Sequence, residues 1–259
     1  MQPLQAWPVD ARRRIRGVFT DIDDTLTTNG AITADALQAL ADLQAAGLVV
    51  IPITGRPMGW SEPFARSWPV AAIVPENGAM ALLPDGRRLY VQDEATRARN
   101  AERLRQVAQR VLREVPGATL ARDSAGRVTD IAIDHGEFAH LPPERIEQVV
   151  ALMRAEGMVA TVSSIHINGW FGSHDKLSGA RWIVRELYGR DLDAEIDQWV
   201  YVGDSTNDQR MFEHFPHSVG VANIERFLPQ LQHRPAYVTQ GERGAGFAEV
   251  ARALLAARG

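Results

Sequence analysis

Three short apolar runs, each ending on polar residues, constrain this chain more than any other feature. Gly17–Ile22 is rich in β-branched and aromatic residues and carries Asp21 with Asp23 just beyond, so it reads as a buried strand. Leu48–Ile53 closes on Thr54, and Trp199–Val202 is followed by Asp204 and Asp208. Between the first two runs, Thr33 is placed to cap a helix, Leu37, Leu40 and Leu43 recur on one helical face, and Gly47 stands at the C-cap. Strand, helix, strand predicts a parallel α/β sheet, with a further strand over Ala71–Val74 before Glu76-Asn77-Gly78. Ligands of such sheets bind beyond the carboxyl ends of the strands, so Asp21, Asp23, Thr54, Asp204 and Asp208 are expected to share one crevice.

The middle of the chain follows another pattern. Met80–Val91 predicts a hairpin around Pro84-Asp85-Gly86, and a long helix is expected over Glu94–Val115. A strand over Val128–Ile133, a helix over Pro143–Glu156 and strands around Val159–Val162 and Ile165–Ile167 complete an α+β insert. After Lys176 the alternation resumes, with a helix to Tyr188, the Trp199 strand, a helix from Asp208, and strands over Ser218–Val221 and Ala236–Val238. The fold class is therefore α/β: a Rossmann-like parallel-sheet core from residues 1–82 and 168–259, split by an inserted domain over 83–167.

With 28 Lys+Arg against 32 Asp+Glu, the net charge of −4 gives no reason to expect nucleic acid or an anionic membrane as partner. A small ligand fits better. The N-terminal stretch has Trp7, Pro8 and Asp10 ahead of its basic residues, unlike a signal peptide, and no apolar run reaches the ~20 residues of a membrane span. There is no cysteine, which excludes disulfides and thiolate metal sites, and the cytoplasm is the expected compartment.

Four carboxylates in one crevice would raise one another's pKa values unless a cation neutralised them. Oxygen ligands and room for a phosphate favour Mg²⁺, with Asp21 and Asp204 as candidate side-chain ligands. A carboxylate can attack phosphorus if the phosphoryl charge is neutralised, for which Lys176, Thr54 and backbone N–H groups after Asp21 are available. Asp23, two residues on, has the spacing to protonate the leaving alkoxide and then activate water.

Asp21-Ile22-Asp23-Asp24-Thr25-Leu26-Thr27, Ile53-Thr54-Gly55-Arg56, Asp175-Lys176 and Gly203-Asp204-Ser205-Thr206-Asn207-Asp208 resemble, in chain order, the four motifs of the haloacid-dehalogenase superfamily. The insert resembles the larger α+β (C2-type) cap of its Cof-type sugar-phosphatase branch. The resemblance implies Asp21 as nucleophile and metal ligand, and Asp23 as acid/base that also meets the metal through its carbonyl. It implies Thr54 and Lys176 as the phosphate-holding pair, with Gly55, Arg56 and Asn207 as further substrate contacts. Asp204 and Asp208 complete the metal group, Asp208 supporting a metal water or the lysine. Asp24 departs from the pattern, where a small glycine is common. A Mg²⁺-dependent phosphatase acting on a small, sugar-like phosphorylated metabolite is implied.

A phosphomutase would use the same aspartates, and a catalytically silent phospho-ligand sensor would keep the fold but lose a motif residue. A halide-releasing enzyme leaves Asp23 without a role, and a phospho-accepting receiver is much shorter. Asp175 reads as an N-cap, and His214 and His217 as surface or packing residues. Gly241–Gly246 lacks the spacing of a dinucleotide-binding turn and is expected to be a loop. Ser163, Ser164, His166, Asn168 and Trp170 fit either a strand with one polar face or a sugar-contacting hinge.

Overall fold

A computed structural model describes residues 1–259. Its first elements, β1 (Gln2–Pro3) and α1 (Val9–Arg14), lead into β2 (Gly17–Thr20). Trp7, between β1 and α1, is buried and stacks on Tyr237 with ring centres 5.5 Å apart. The N-terminal stretch is thus tied into the fold. A small hairpin, β3 (Thr27–Thr28) and β4 (Ala31–Ile32), precedes α2 (Ala34–Ala45) and β5 (Val49–Pro52). The inward face of α2 is Ala36, Ala39, Leu40 and Leu43, whereas Leu37 is exposed. Next comes α3 (Met58–Ser67), then the hairpin β6 (Met80–Leu82) and β7 (Arg88–Tyr90). Ala71–Val74 forms bridges to its neighbours rather than a full strand.

The insert comprises α4 (Glu94–Glu114), β8 (Thr119–Leu120), β9 (Asp130–Asp134), α5 (Pro143–Ala155), β10 (Val159–Val162) and β11 (His166–Trp170). The chain then runs through α6 (Lys176–Tyr188), β12 (Trp199–Gly203), α7 (Gln209–His214), β13 (Ser218–Gly220), β14 (Tyr237–Val238) and α8 (Arg243–Ala256). No helix is long and apolar enough to cross a membrane.

The core sheet has strand order β1-β14-β13-β12-β2-β5, with every pairing parallel. Alternate residues bury both faces. Val18, Val50, Val200 and Val202 point into one apolar cluster with α2 and α8, while Phe19, Ile51, Trp199 and Tyr201 point into the other with α6 and α7. Gly17 is required by its neighbour, since a Cβ there would stand 2.2 Å from the Trp199 ring.

A second, antiparallel sheet, β10-β11-β9-β8, buries Ile131, Ile133 and Ile167 under α4 and α5. Its opposite face carries Asp130, Asp134, His166, Asn168 and Trp170, all buried. Ala81 and Leu83 of the β6–β7 hairpin sit in a core cluster, with Leu89 packed against it, and the insert's sheet continues through Trp170. The expected loop over Gly241–Gly246 is shorter, because α8 begins at Arg243. Gly244 lets that first turn pack on the core, where a Cβ would come 2.2 Å from Thr33 Oγ1.

Candidate active site

The carboxyl ends of β2 and β12 lie side by side, Val202 opposite Thr20, and the Asp21 N–H donates to the Val202 carbonyl at 2.9 Å. Asp21 and Asp204 therefore leave adjacent strands at the same height. Lys176, the first residue of α6, points into the space beside them. Its Nζ lies 2.6 Å from Asp21 Oδ1 and 2.7 Å from Asp208 Oδ1, and all three side chains are buried. Asp175 caps α6 through a reciprocal pair with Ser178, which fixes where the helix starts and hence where Lys176 points.

Asp208 is saturated. Besides Lys176 it receives the Tyr201 hydroxyl and the backbone N–H groups of Asp204 and Ser205. Asp204 is not: Oδ2 accepts from Asn223 at 3.2 Å, but Oδ1 is buried with no partner. Asp21, Asp204 and Asp208 can each bring one oxygen within 4.8 Å of the others. Burial raises the Asp21 pKa to about 7, the charges of Asp208 and Asp23 add to this, and Lys176 opposes it. Burial, then Asp208 and Asp21, push Asp204 well above the usual carboxylate range. A hard cation would relieve both effects and engage the orphaned oxygen, so the donor set fits Mg²⁺.

Thr54 is buried at the end of β5, its Oγ1 accepting from the Arg56 N–H at 3.0 Å. The Gly55 carbonyl accepts from Arg127 at 3.0 Å and Asn168 at 3.2 Å, both in the insert. Arg56 does not project freely into a ligand space. Its guanidinium binds both oxygens of Asp23 at 2.8–3.0 Å and reaches Asp123 at 3.2 Å and Glu137 at 2.7 Å. The junction encloses two cavities. One, of about 380 Å³, is lined by Asp23, Arg56 and Glu137 among others; the second, of about 400 Å³, by Lys176, Asn77 and Asn207.

Residues 18–112, which include the Asp21 and Thr54 motifs, match the model of the haloacid dehalogenase-like hydrolases. The match covers just over a third of the chain and two of its four motifs. A relative named phosphoglycolate phosphatase, from Methanothermobacter thermautotrophicus, is 25% identical over 245 residues, 93% of this chain and 99% of that protein. A HAD/COF-like hydrolase from Plasmodium vivax has the same fold, with TM-score 0.71, 17% identity, and coverage of 96% of this chain and 99% of its own. Sucrose-phosphatase from Synechocystis, solved with sucrose and phosphate, gives 0.65 and 17%, covering 93% and 98%.

Several residues of this site carry no motif signal. Asn223 ties it together, donating to the Asp24 carbonyl at 3.0 Å and to Asp204, and accepting from the Arg243 N–H at 2.8 Å. Asn77 holds a buried amide nitrogen with no partner in the Lys176 cavity, at a left-handed φ of 56°. That Glu76-Asn77-Gly78 turn was the one legible hint. His214 pairs with Asp193 at 2.7 Å, and His217 stacks near Trp7, so neither joins a metal group. His166 and Asn168 line the insert's polar face, His166 against Glu137 at 3.0 Å and Asn168 against Asp130 at 3.0 Å.

Proposed function

We propose that this phosphoric monoester hydrolase is a Mg²⁺-dependent phosphatase of a small, sugar-like phosphorylated metabolite, working through an aspartyl-phosphate on Asp21. The observation that carries the reading is the Asp21–Lys176–Asp208 arrangement beside the orphaned oxygen of Asp204. Asp21, Asp204 and the Asp23 carbonyl would hold the ion, which supplies charge neutralisation on the phosphoryl oxygens. Asp208 serves the site through Lys176, whose ammonium its two strong acceptor contacts keep charged and aimed at Asp21; Lys176's pKa is raised accordingly, against the effect of burial.

The Asp21 carboxylate attacks phosphorus, the P–O ester bond breaks, and the electron pair leaves on the alkoxide, which takes its proton from Asp23. Asp23 then removes a proton from water, whose oxygen attacks the same phosphorus and releases phosphate with Asp21 restored. Lys176, Thr54, Asn207 and the backbone at Gly55 are the groups available to the transferring phosphoryl. The insert acts as a cap that closes over the crevice once substrate is bound and shields the transfer from bulk water. The sugar-like leaving group is supported by the fold shared with sucrose-phosphatase. The test is hydrolysis of an aryl phosphate by chelator-stripped protein before and after adding Mg²⁺, run in parallel on Asp21→Asn. Activity is expected only in the Mg²⁺-restored wild type; turnover in the variant or in stripped protein would reject the reading.

A further inference from the structure

The cavity of about 380 Å³ has a wall that the chemistry above does not use: Asp24, Asn29, Arg226, Arg243 and, from the cap, Phe138. Asp24 stands between two arginines. Arg226 Nη2 is 2.9 Å from its Oδ2, and Arg243 Nε is 3.1 Å from its Oδ1. The second contact is close but misdirected, so the Nε–H of Arg243 is buried without an acceptor. Both arginines line the cavity, Arg243 with that buried Nε–H unmet and its Nη1 on Asn29 at 3.3 Å, Arg226 with a further, longer contact of 3.4 Å to Asp204 Oδ2.

Backbone strain gathers at the same place. Of five non-glycine residues with positive φ, Asp24 at 55°, Asn29 at 52° and Arg243 at 53° all line this cavity. Left-handed backbone is unfavourable for a residue with a Cβ, which gives the physical reason a glycine would suit position 24. Arg243 breaks a second rule, since it opens α8, where the helix dipole disfavours a cation. Asn223 holds it there by accepting its backbone N–H. Local rules broken together at one cavity mark a functional demand.

Two planar guanidinium groups suit a carboxylate, and the Asp24 side chain already plays that part. Asp23 lines the same cavity, and the leaving oxygen departs towards Asp23. What the arginines meet therefore belongs to the leaving alcohol, not to the phosphate. We infer that Arg226 and Arg243 form a clamp for a carboxylate on the leaving group, filled by Asp24 until substrate displaces it. The substrate class is then the phosphate esters of hydroxy acids or sugar acids. This deepens, and rests on, the phosphatase reading of the site.

Glycerol 3-phosphate and 3-phosphoglycerate test the clamp, because they differ by a hydroxymethyl against a carboxylate. Calorimetric Kd values are measured with Mg²⁺ in the Asp21→Asn background, where nothing turns over. The acid is expected to bind roughly tenfold or more tighter. Adding Arg243→Gln or Arg226→Gln brings the ratio towards one. Adding Asp24→Asn widens it, since asparagine tolerates the left-handed backbone and removes the competing charge. Equal binding of the two esters, an unchanged ratio in the arginine variants, or a narrower ratio with Asp24→Asn overturns the clamp. If an arginine variant does not fold by thermal melt, the Asp24→Asn arm decides. Aryl phosphate hydrolysis by the Asp21-intact protein is measured alongside: its absence defeats the phosphatase reading, while the Kd ratios still judge the clamp.

Discussion

Asp21 and Asp23 are separated by one residue yet face different partners. Asp21 meets the Lys176 ammonium, whereas Asp23 is gripped by Arg56 and lines the cavity of about 380 Å³. Under the proposed mechanism this separation would divide attack from proton transfer. If Asp23 handles the proton, Asp23→Asn still accepts phosphate from an aryl ester, whose leaving group departs unprotonated, but hydrolyses the aspartyl-phosphate slowly. Rapid mixing should show a burst of aryl product and then a steady state slower by on the order of 10²–10⁴. An alkyl ester should give no burst. Equal slowing of both esters, with no phosphoenzyme, would mean that Asp23 acts by placing Arg56 or the metal instead.

At the scale of elements, the turn after Ala71–Val74 joins cap to core. Glu76, buried and at φ 49°, accepts from the Met58 N–H at the start of α3 at 3.0 Å, from the Val128 N–H at 3.0 Å, and from the Thr129 N–H at 2.6 Å and its hydroxyl. Two of those residues lie in the cap segment that leads into β9. An amide offers one acceptor oxygen and would turn its NH₂ towards the donors. Glu76→Gln is therefore expected to lower unfolding free energy by about 1–3 kcal/mol, read from urea melts, and an unchanged midpoint would show that the turn is held by its backbone alone. The helices and strands with strong periodicity were legible in the sequence, α6 and the β6–β7 hairpin among them, because burial there follows local pattern. α3 was not. Pro63 lies inside it, and Trp60, Phe64 and Trp68, four residues apart on one face with rings 4.6 and 4.7 Å apart, carry a helical spacing that the proline masked. Asp21, Asp23, Asp204 and Asp208 could be placed in one crevice because they follow strand ends, whereas Lys176, which opens α6, stood out only through its motif. Asn223, Arg226 and Arg243 were not, since they reach Asp24 and Asp204 across roughly 200 and 20 residues of chain and leave no local trace.

For the whole molecule, the cap is shut onto the core by polar contacts rather than by an apolar seam. Thr206 Oγ1 donates to the Val162 carbonyl at 2.8 Å, Arg127 and Asn168 hold Gly55, and Arg56 reaches Asp123 and Glu137. Arg56, Arg127 and Asn168 are nearly fully buried in these contacts, so any opening of the cap would have to rehydrate them. Glu137 gives this junction a titratable contact. Burial alone would raise its pKa, but the hydrogen bonds from His166 and Arg56, and then their charges, outweigh that and hold it at about 2 against an ordinary 4.5. The folded-state value is depressed, so the stabilisation is fully present above about 4.5 and is lost progressively as pH falls towards 2. Glu137→Gln keeps the shape and removes the titration. Because the side chain is one-fifth exposed, solvent screening reduces the effect to ~1 kcal/mol at neutral pH. The melting temperatures of wild type and variant should differ most near neutrality and converge as pH falls from about 5 towards 3. The same protonation frees Arg56 from one of its three carboxylates, so proteolysis at the cap–core junction should quicken in the wild type over that interval and be flat in the variant. A stability difference that stays constant with pH would show that Glu137 seats the cap by packing and hydrogen bonding alone, with its charge irrelevant to closure.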